Sequence, residues 1–105
     1  MKFLVAGFIL FHGLIHLMGF AKAFEFAAIK PLKQDISKTS GLFWLLATML
    51  FIVTAVLLVI ENIWWFLPAA VSILVSQYLI INNWRDARYG TIANLIILAV
   101  IAVGF

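Results

Sequence analysis

The sequence predicts an all-α integral membrane protein, a four-helix bundle in up-down-up-down order, from its composition, its apolar runs and the placement of its charges. Of 105 residues, 67% are hydrophobic and 10% are charged, whereas an ordinary soluble domain is about a quarter charged. So short a chain cannot bury that much apolar surface in its own core, and lipid must cover the excess. We therefore predict a single transmembrane domain over residues 1–105.

Four apolar runs predict the membrane spans. The predicted spans are residues 3–24, 41–60, 63–84 and 89–105. A helix of about 20 residues, rising 1.5 Å per residue, crosses a hydrocarbon core of roughly 30 Å, and the fourth run is barely long enough. A cleaved signal peptide is the alternative for the first run, because Lys2 precedes it and the Ala-Lys-Ala triplet at 21–23 resembles a cleavage site.

A linker at residues 25–40 separates the first two spans and carries most of the charge. Pro31 prevents the first helix from continuing through it. Apolar residues recur at spacings of three and four, which predicts an interfacial segment with its lysines in the headgroups. These apolar residues are Phe26, Ile29, Leu32 and Ile36. The hydroxyl residues at 37–40 are N-cap candidates for the second helix.

The basic residues predict the orientation. Six of the seven fall on the side of the first linker and of the last polar turn, and Lys2 alone falls on the other side. By the positive-inside rule, the linkers are cytoplasmic and both termini extracytoplasmic, in the inner membrane of a bacterium. The six are Lys22, Lys30, Lys33, Lys38, Arg85 and Arg88.

Several classes of function are excluded by what the sequence lacks. The basic residues flank apolar runs and form no stripe, so we predict no nucleic-acid partner. The absence of cysteine removes disulfides, thiolate metal sites and thiol nucleophiles. No nucleotide-binding loop, nucleophile-base pair or paired carboxylates can be found, so an enzyme is the less favoured interpretation.

Weakly polar residues within the spans indicate helix packing. Thr48 and Thr54 can each bond back to the carbonyl one turn earlier. Trp64 and Trp65 open the third span at headgroup level, as aromatic belts do. Small residues along one face of the third span predict a packing seam. They are Ala69, Ser72, Ser76 and Asn83.

His12 and His16 are the candidate functional centre. Residues four apart on a helix differ by about 40° around the axis and about 6 Å along it, so the two imidazoles share a face. Gly19 and Ala23 continue that face, where another helix can approach closely, so the imidazoles are predicted to point into the bundle. Burying an ionisable group near the centre of a bilayer costs free energy, so such groups usually have a function.

Three interpretations of the pair remain open. Neutral histidines can bond to polar residues on adjacent helices and hold the bundle together. They can also pass a proton or bond a quinone carbonyl. A metal ion or haem is the third possibility, although two histidines on one helix cannot ligate a haem from opposite faces, and a metal needs further ligands. The other ligand or proton-relay candidates are Gln77, Tyr78 and Asn94, with Met18 as a weaker metal ligand.

The first helix resembles that of DoxX-like membrane proteins. The stretch 8–20 reads FILFHGLIHLMGF, and that family has an apolar first helix with a His-Gly or similar pair followed by Lys-Leu. Here His16 stands where lysine is common. The resemblance covers the first helix and implies a small four-helix bundle, in some members associated with quinone-linked oxidoreductases.

The chain is also similar in size and helix count to the small multidrug resistance transporters, and FWLLA at 43–47 is similar to part of their second helix. Their proton-drug exchange uses a glutamate in the first helix, which is absent here. His12 replaces it only in part, because a protonated imidazole repels a cationic drug.

These observations predict a small accessory or binding subunit with an intramembrane polar site at the histidine pair and without a required cofactor. The alternatives are a redox subunit that binds quinone, haem or a transition metal, and a small oligomeric transporter. Because one bundle of this size has little room for an enclosed site, we expect a homo-oligomer or a larger membrane complex within the lipid bilayer.

Overall fold

The computed structural model describes residues 2–24 and 37–104, apart from the side chain of Asp86, and these residues are helical with short connections. The bounds of the α-helices are α1 Lys2–Ala23, α2 Lys38–Val59, α3 Phe66–Asn82, the one-turn α4 Trp84–Ala87 and α5 Gly90–Val103. A 3₁₀ turn at Ile63–Trp65 leads directly into α3.

The prediction of an all-α protein with four apolar helices is confirmed. Three helical segments, Lys2–Ala23, Lys38–Val59 and Ile63–Asn82, are long and apolar enough to cross a membrane. The fourth, α5, has 14 residues and is therefore about 21 Å long, which is less than the hydrocarbon thickness of a bilayer.

Two helix boundaries differ from the predicted spans. The second helix begins at Lys38 because Ser37, extended at φ −66° and ψ 158°, accepts a hydrogen bond at Oγ from the amide of Ser40. The third run is not one helix to residue 84. Asn83 leaves helical geometry at φ −121° and ψ 38°, and its side-chain amide donates to the carbonyl of Leu79.

The predicted interfacial linker lies almost entirely outside the described residues, which resume at Ser37. Its amphipathic face therefore stays a prediction. Its last three residues, 38–40, belong to α2.

α1 and α2 form the most extensive helix pair, and their opposite ends meet. Lys2 Nζ lies 3.1 Å from the carbonyl oxygen of Val59 and 3.0 Å from the carboxylate of Glu61, at the end of α2. At the other end, Gly41 lies directly against Ala23. The two helices are therefore antiparallel along their whole length.

The interior of the bundle contains polar side chains, and its outer surface is apolar. Large apolar residues are exposed on each long helix, among them Phe11 on α1, Met49 on α2, Leu74 on α3 and Leu95 on α5. A monomeric soluble protein seldom exposes such continuous apolar surface. The buried polar residues are His12, His16, Thr48, Thr54, Ser72, Ser76, Asn83 and Asn94.

The predicted seam on the third helix is confirmed for Ala69, Ser72 and Ser76, which are buried, whereas Asn83 is buried just beyond the end of α3. Both threonines bond back as predicted. Thr48 Oγ1 lies 3.1 Å from the carbonyl oxygen of Trp44, and Thr54 Oγ1 lies 2.8 Å from that of Leu50.

The two tryptophans that open the third span differ from each other. Trp64 is 57% exposed, whereas Trp65 is 8% exposed and belongs to the apolar core. Their common position at headgroup level stays a prediction.

A candidate functional site at the buried histidine pair

His12 and His16 lie at the centre of the bundle, 5% and 3% exposed. Their rings meet edge to face, with centroids 4.7 Å apart, as expected from their spacing of one helical turn. Two aromatic residues of α2 cover them. Phe51 contacts both imidazoles at centroid distances of 5.0 and 5.2 Å, and Trp44 contacts His16 at 5.2 Å.

A closed ring of hydrogen bonds joins this pair to α3 and α5. His12 Nε2 lies 2.8 Å from Asn94 Oδ1, and Asn94 Nδ2 lies 3.0 Å from Ser76 Oγ. Ser76 Oγ lies 2.7 Å from His16 Nε2. His16 Nδ1 closes the ring at 2.8 Å from the backbone carbonyl oxygen of His12. We call this set the histidine ring.

The partners of the two imidazoles assign their tautomers. An amide oxygen and a backbone carbonyl only accept hydrogen bonds, so His12 donates from Nε2 and His16 donates from Nδ1. Neutral His16 then accepts at Nε2 from the hydroxyl of Ser76, which in turn accepts from the side-chain amide of Asn94. Each bond of the histidine ring thus has one donor and one acceptor, with opposite tautomers at the two histidines.

Three further hydrogen bonds lie beside the histidine ring. Asn94 Nδ2 also lies 3.1 Å from Gln77 Oε1, and Gln77 Nε2 lies 3.1 Å from Thr91 Oγ1. On the other side, Thr48 Oγ1 lies 3.0 Å from the carbonyl oxygen of Gly13, which ties α2 to α1. Polar contacts therefore connect all four apolar helices at one depth.

Four of the five predicted site residues come together here. His12, His16 and Asn94 belong to the histidine ring, and Gln77 is bonded to it. Tyr78 does not join them, because its side chain is 64% exposed and points away from the centre. Successive residues of a helix differ by about 100° in direction, so Gln77 and Tyr78 cannot both face the same neighbour.

The sequence did not identify Ser76 and Thr48 as residues that form hydrogen bonds to α1. Ser76 was predicted to lie on a packing face and Thr48 to bond within its own helix. The available signal was the depth of Ser76, which follows from its place in the middle of an apolar run. Its pairing with His16 depends on the register between α1 and α3, which no local pattern contains.

Metal ligation by the pair stays a prediction. Across residues 2–24 and 37–104, no three histidine or acidic side chains are grouped as a metal site would require. Both ring nitrogens of His16 have protein partners within 2.8 Å. Ligation would therefore begin by breaking one of those hydrogen bonds.

The indole N–H of Trp44 is the exception to this satisfied polar interior. Among the described residues it is the one buried side-chain polar atom without a hydrogen-bond partner. An unpaired buried donor costs about 1–3 kcal/mol. The contacts of this ring with His16 and Gly19 offset part of that cost.

Comparison with known proteins found no matching protein family, no matching curated protein and no matching solved structure. The similarity of the first helix to DoxX-like proteins therefore stays a prediction from its residues.

Proposed function

We propose that this chain is a small multi-pass protein of the bacterial inner membrane, an accessory or binding subunit whose histidine ring locks its helices together. The observation that carries the proposal is the apolar outer surface of the bundle, which encloses a core of apolar side chains together with hydrogen-bonded histidine, asparagine and serine. In water an apolar surface of this extent would be unfavourable. In a bilayer it is the expected one.

The orientation rests on the charges. In the proposed up-down-up-down arrangement, the ends of α1 and α3 lie on the cytoplasmic side with Lys22, Arg85 and Arg88. Lys2 lies on the opposite side beside Glu61. Both termini are then extracytoplasmic.

The locking role is supported by the way the histidine ring uses its hydrogen-bonding groups. His16 offers both ring nitrogens to the protein, and the Asn94 amide uses its oxygen and its nitrogen on two different helices. A proton leaving His12 Nε2 would meet an amide oxygen, which is a poor proton carrier. The geometry thus favours a fixed network over a proton relay.

The accessory role follows from what remains available at the surface. Because the central polar groups bond to one another, the membrane-embedded surface offers apolar contacts, and α5 is too short to cover its neighbours over the full bilayer thickness. We propose that this surface meets a second copy or another membrane protein. Purification in mild detergent, followed by mass measurement, tests for such an assembly.

A fusion at the carboxyl terminus tests the orientation. Alkaline phosphatase joined after Phe105 is expected to be active, because it folds only outside the cytoplasm. A GFP fusion at the same position is expected to be dark, since GFP exported unfolded through the membrane fluoresces poorly. The opposite pair of signals would invert the topology and contradict the assignment of the linkers to the cytoplasm.

Substitution of His16 tests the locking role. His16→Gln retains a donor and an acceptor, so we expect a loss of stability of about 1 kcal/mol or less, since interhelical hydrogen bonds in membranes average about 0.6 kcal/mol. His16→Leu removes both and leaves the Ser76 hydroxyl without its imidazole acceptor, so a larger loss is expected. The measurement is unfolding in mixed micelles. Binding of Zn²⁺, haem and a quinone analogue by the wild type that is lost in a stable His16→Gln variant would contradict a purely structural role.

A further inference from the structure

An open cavity of about 420 Å³ lies where the first turns of α2 meet the end of α3. Its volume is within the range of small-molecule sites in proteins. Hydroxyls of Thr39 and Ser40 line one side, and the amide residues Asn82 and Asn83 line the other. The cavity is separate from the histidine ring, with which it shares no residue.

The chemistry of this lining fits an uncharged, hydroxyl-rich ligand. Hydroxyl and side-chain amide groups both donate and accept hydrogen bonds, as the hydroxyls of a sugar do. Among residues 2–24 and 37–104, those that line the cavity include no lysine, arginine, aspartate or glutamate. A phosphate or ammonium group placed there would therefore lack an opposite charge among these described residues.

Two aromatic rings add a surface suited to a sugar. Phe43 of α2 and Tyr78 of α3 line the cavity and are 46% and 64% exposed. Their faces are apolar and can cover the C–H face of a pyranose, while the Tyr78 hydroxyl remains available for a hydrogen bond. This accounts for Tyr78, which the histidine ring does not use.

The surroundings of the cavity favour a ligand with an apolar tail. Leu46 lies one turn beyond Phe43 on α2, and Leu74 lies one turn before Tyr78 on α3, so both continue these faces toward the middle of the bundle. They are 43% and 72% exposed. The cavity is polar and lies at the end of two apolar helices, with apolar surface leading away from it. A membrane lipid has the same arrangement, with a polar headgroup joined to apolar chains.

We propose that this cavity binds the uncharged sugar headgroup of a glycolipid, whose acyl chains lie along Leu46 and Leu74. The inference rests on the proposed membrane location, since it places the cavity at headgroup level. It also names glycolipids as the class of ligand for the proposed binding subunit.

Native mass spectrometry of the full chain, with lipids of identical acyl chains, tests the proposal. Glucosyl-diacylglycerol is expected to bind about tenfold more tightly than phosphatidylethanolamine, as the loss of one or two hydrogen bonds predicts. Phosphatidylglycerol, which carries a polyol beside a charged phosphate, is expected to bind less tightly than the glycolipid. Free glucose at millimolar concentration should not displace it.

Variants at exposed positions locate the effect. Thr39→Val combined with Asn82→Leu keeps the branching of both side chains but removes their hydrogen-bonding groups, and is expected to weaken glycolipid binding about tenfold. Tyr89→Phe removes an exposed hydroxyl outside the cavity and should leave binding unchanged. Equal binding of the glycolipid and phosphatidylethanolamine, no effect of the double variant in a chain of normal stability, or displacement by free glucose would each overturn the proposal.

The same preparation separates this inference from the proposed function. A chain released from membranes by alkaline carbonate would contradict the membrane location itself. A chain that stays in the bilayer and shows no headgroup preference would overturn the glycolipid site alone.

Discussion

Replacing Gly19 with alanine is expected to destabilise the bundle by about 1–3 kcal/mol, the usual cost of adding a methyl group to a packed interior. A Cβ atom at this position would lie 2.5 Å from Trp44 Cδ2 and 2.6 Å from its Cγ. Since these atoms are the rigid root of an indole ring that also contacts His16, they cannot move aside without disturbing the histidine ring. Gly13→Ala should behave similarly, because its Cβ would lie 2.6 Å from Phe51 Cβ.

Gly7 of α1 provides the matched control. An added Cβ there meets no atom within 4 Å. Gly7→Ala should therefore leave stability unchanged, or raise it by up to about 1 kcal/mol through the helix propensity of alanine. Denaturation by SDS in mixed micelles measures all three variants. Equal stability of the variants at Gly7 and Gly19 would show that α1 and α2 do not approach as closely as described.

Asn94→Leu is expected to have the largest effect of any single polar substitution. The Asn94 side chain bonds to His12, Ser76 and Gln77, on two other helices. Leucine has the same branched shape but leaves the buried His12 N–H and the half-buried Gln77 carbonyl oxygen without this partner. At about 1–3 kcal/mol for each unpaired group, the expected loss is about 2–4 kcal/mol.

The control for this substitution is Asn82→Leu, an identical change at an exposed position near the end of α3. It should change stability little, since surface substitutions are usually within about 0.5 kcal/mol. Thr91→Val removes only the hydrogen-bond acceptor of Gln77 Nε2. Its loss of stability is expected to fall between those of the two leucine variants. A similar loss in all three variants would mean that Asn94 contributes by packing alone, contrary to the proposed lock.

Much of the fold could be predicted from the sequence because a bilayer demands apolar runs of a fixed length. The three longest helices follow from this demand, and Ser37 marks the start of α2 by ordinary capping chemistry. The break at Asn83 was not predictable in the same way. Asparagine is tolerated both in helices and at their ends, and a residue in a long apolar run carries no breaking signal.

Most residues of the candidate site could be predicted from the sequence, but the hydrogen bonds between them could not. The spacing of His12 and His16 indicates a shared face, and the glycine at 19 indicates that this face meets another helix. The pairing of His12 with Asn94 and of His16 with Ser76 depends on the register of three helices along one another. This register depends on the packing of large side chains such as Phe51 and Ile97, which are 0% and 1% exposed and lie far apart in sequence.

The central claim is that the histidine ring is a closed network with a fixed direction of hydrogen bonding. Solid-state ¹⁵N NMR of the full chain in lipid bilayers, with labelled histidine, measures this directly because the chemical shifts of the two ring nitrogens distinguish the tautomers. At pH 7 we predict two neutral imidazoles of opposite kind, His12 protonated at Nε2 and His16 protonated at Nδ1, each assigned by comparison with its glutamine variant. Two identical tautomers, or an imidazolium at either position, would contradict the account.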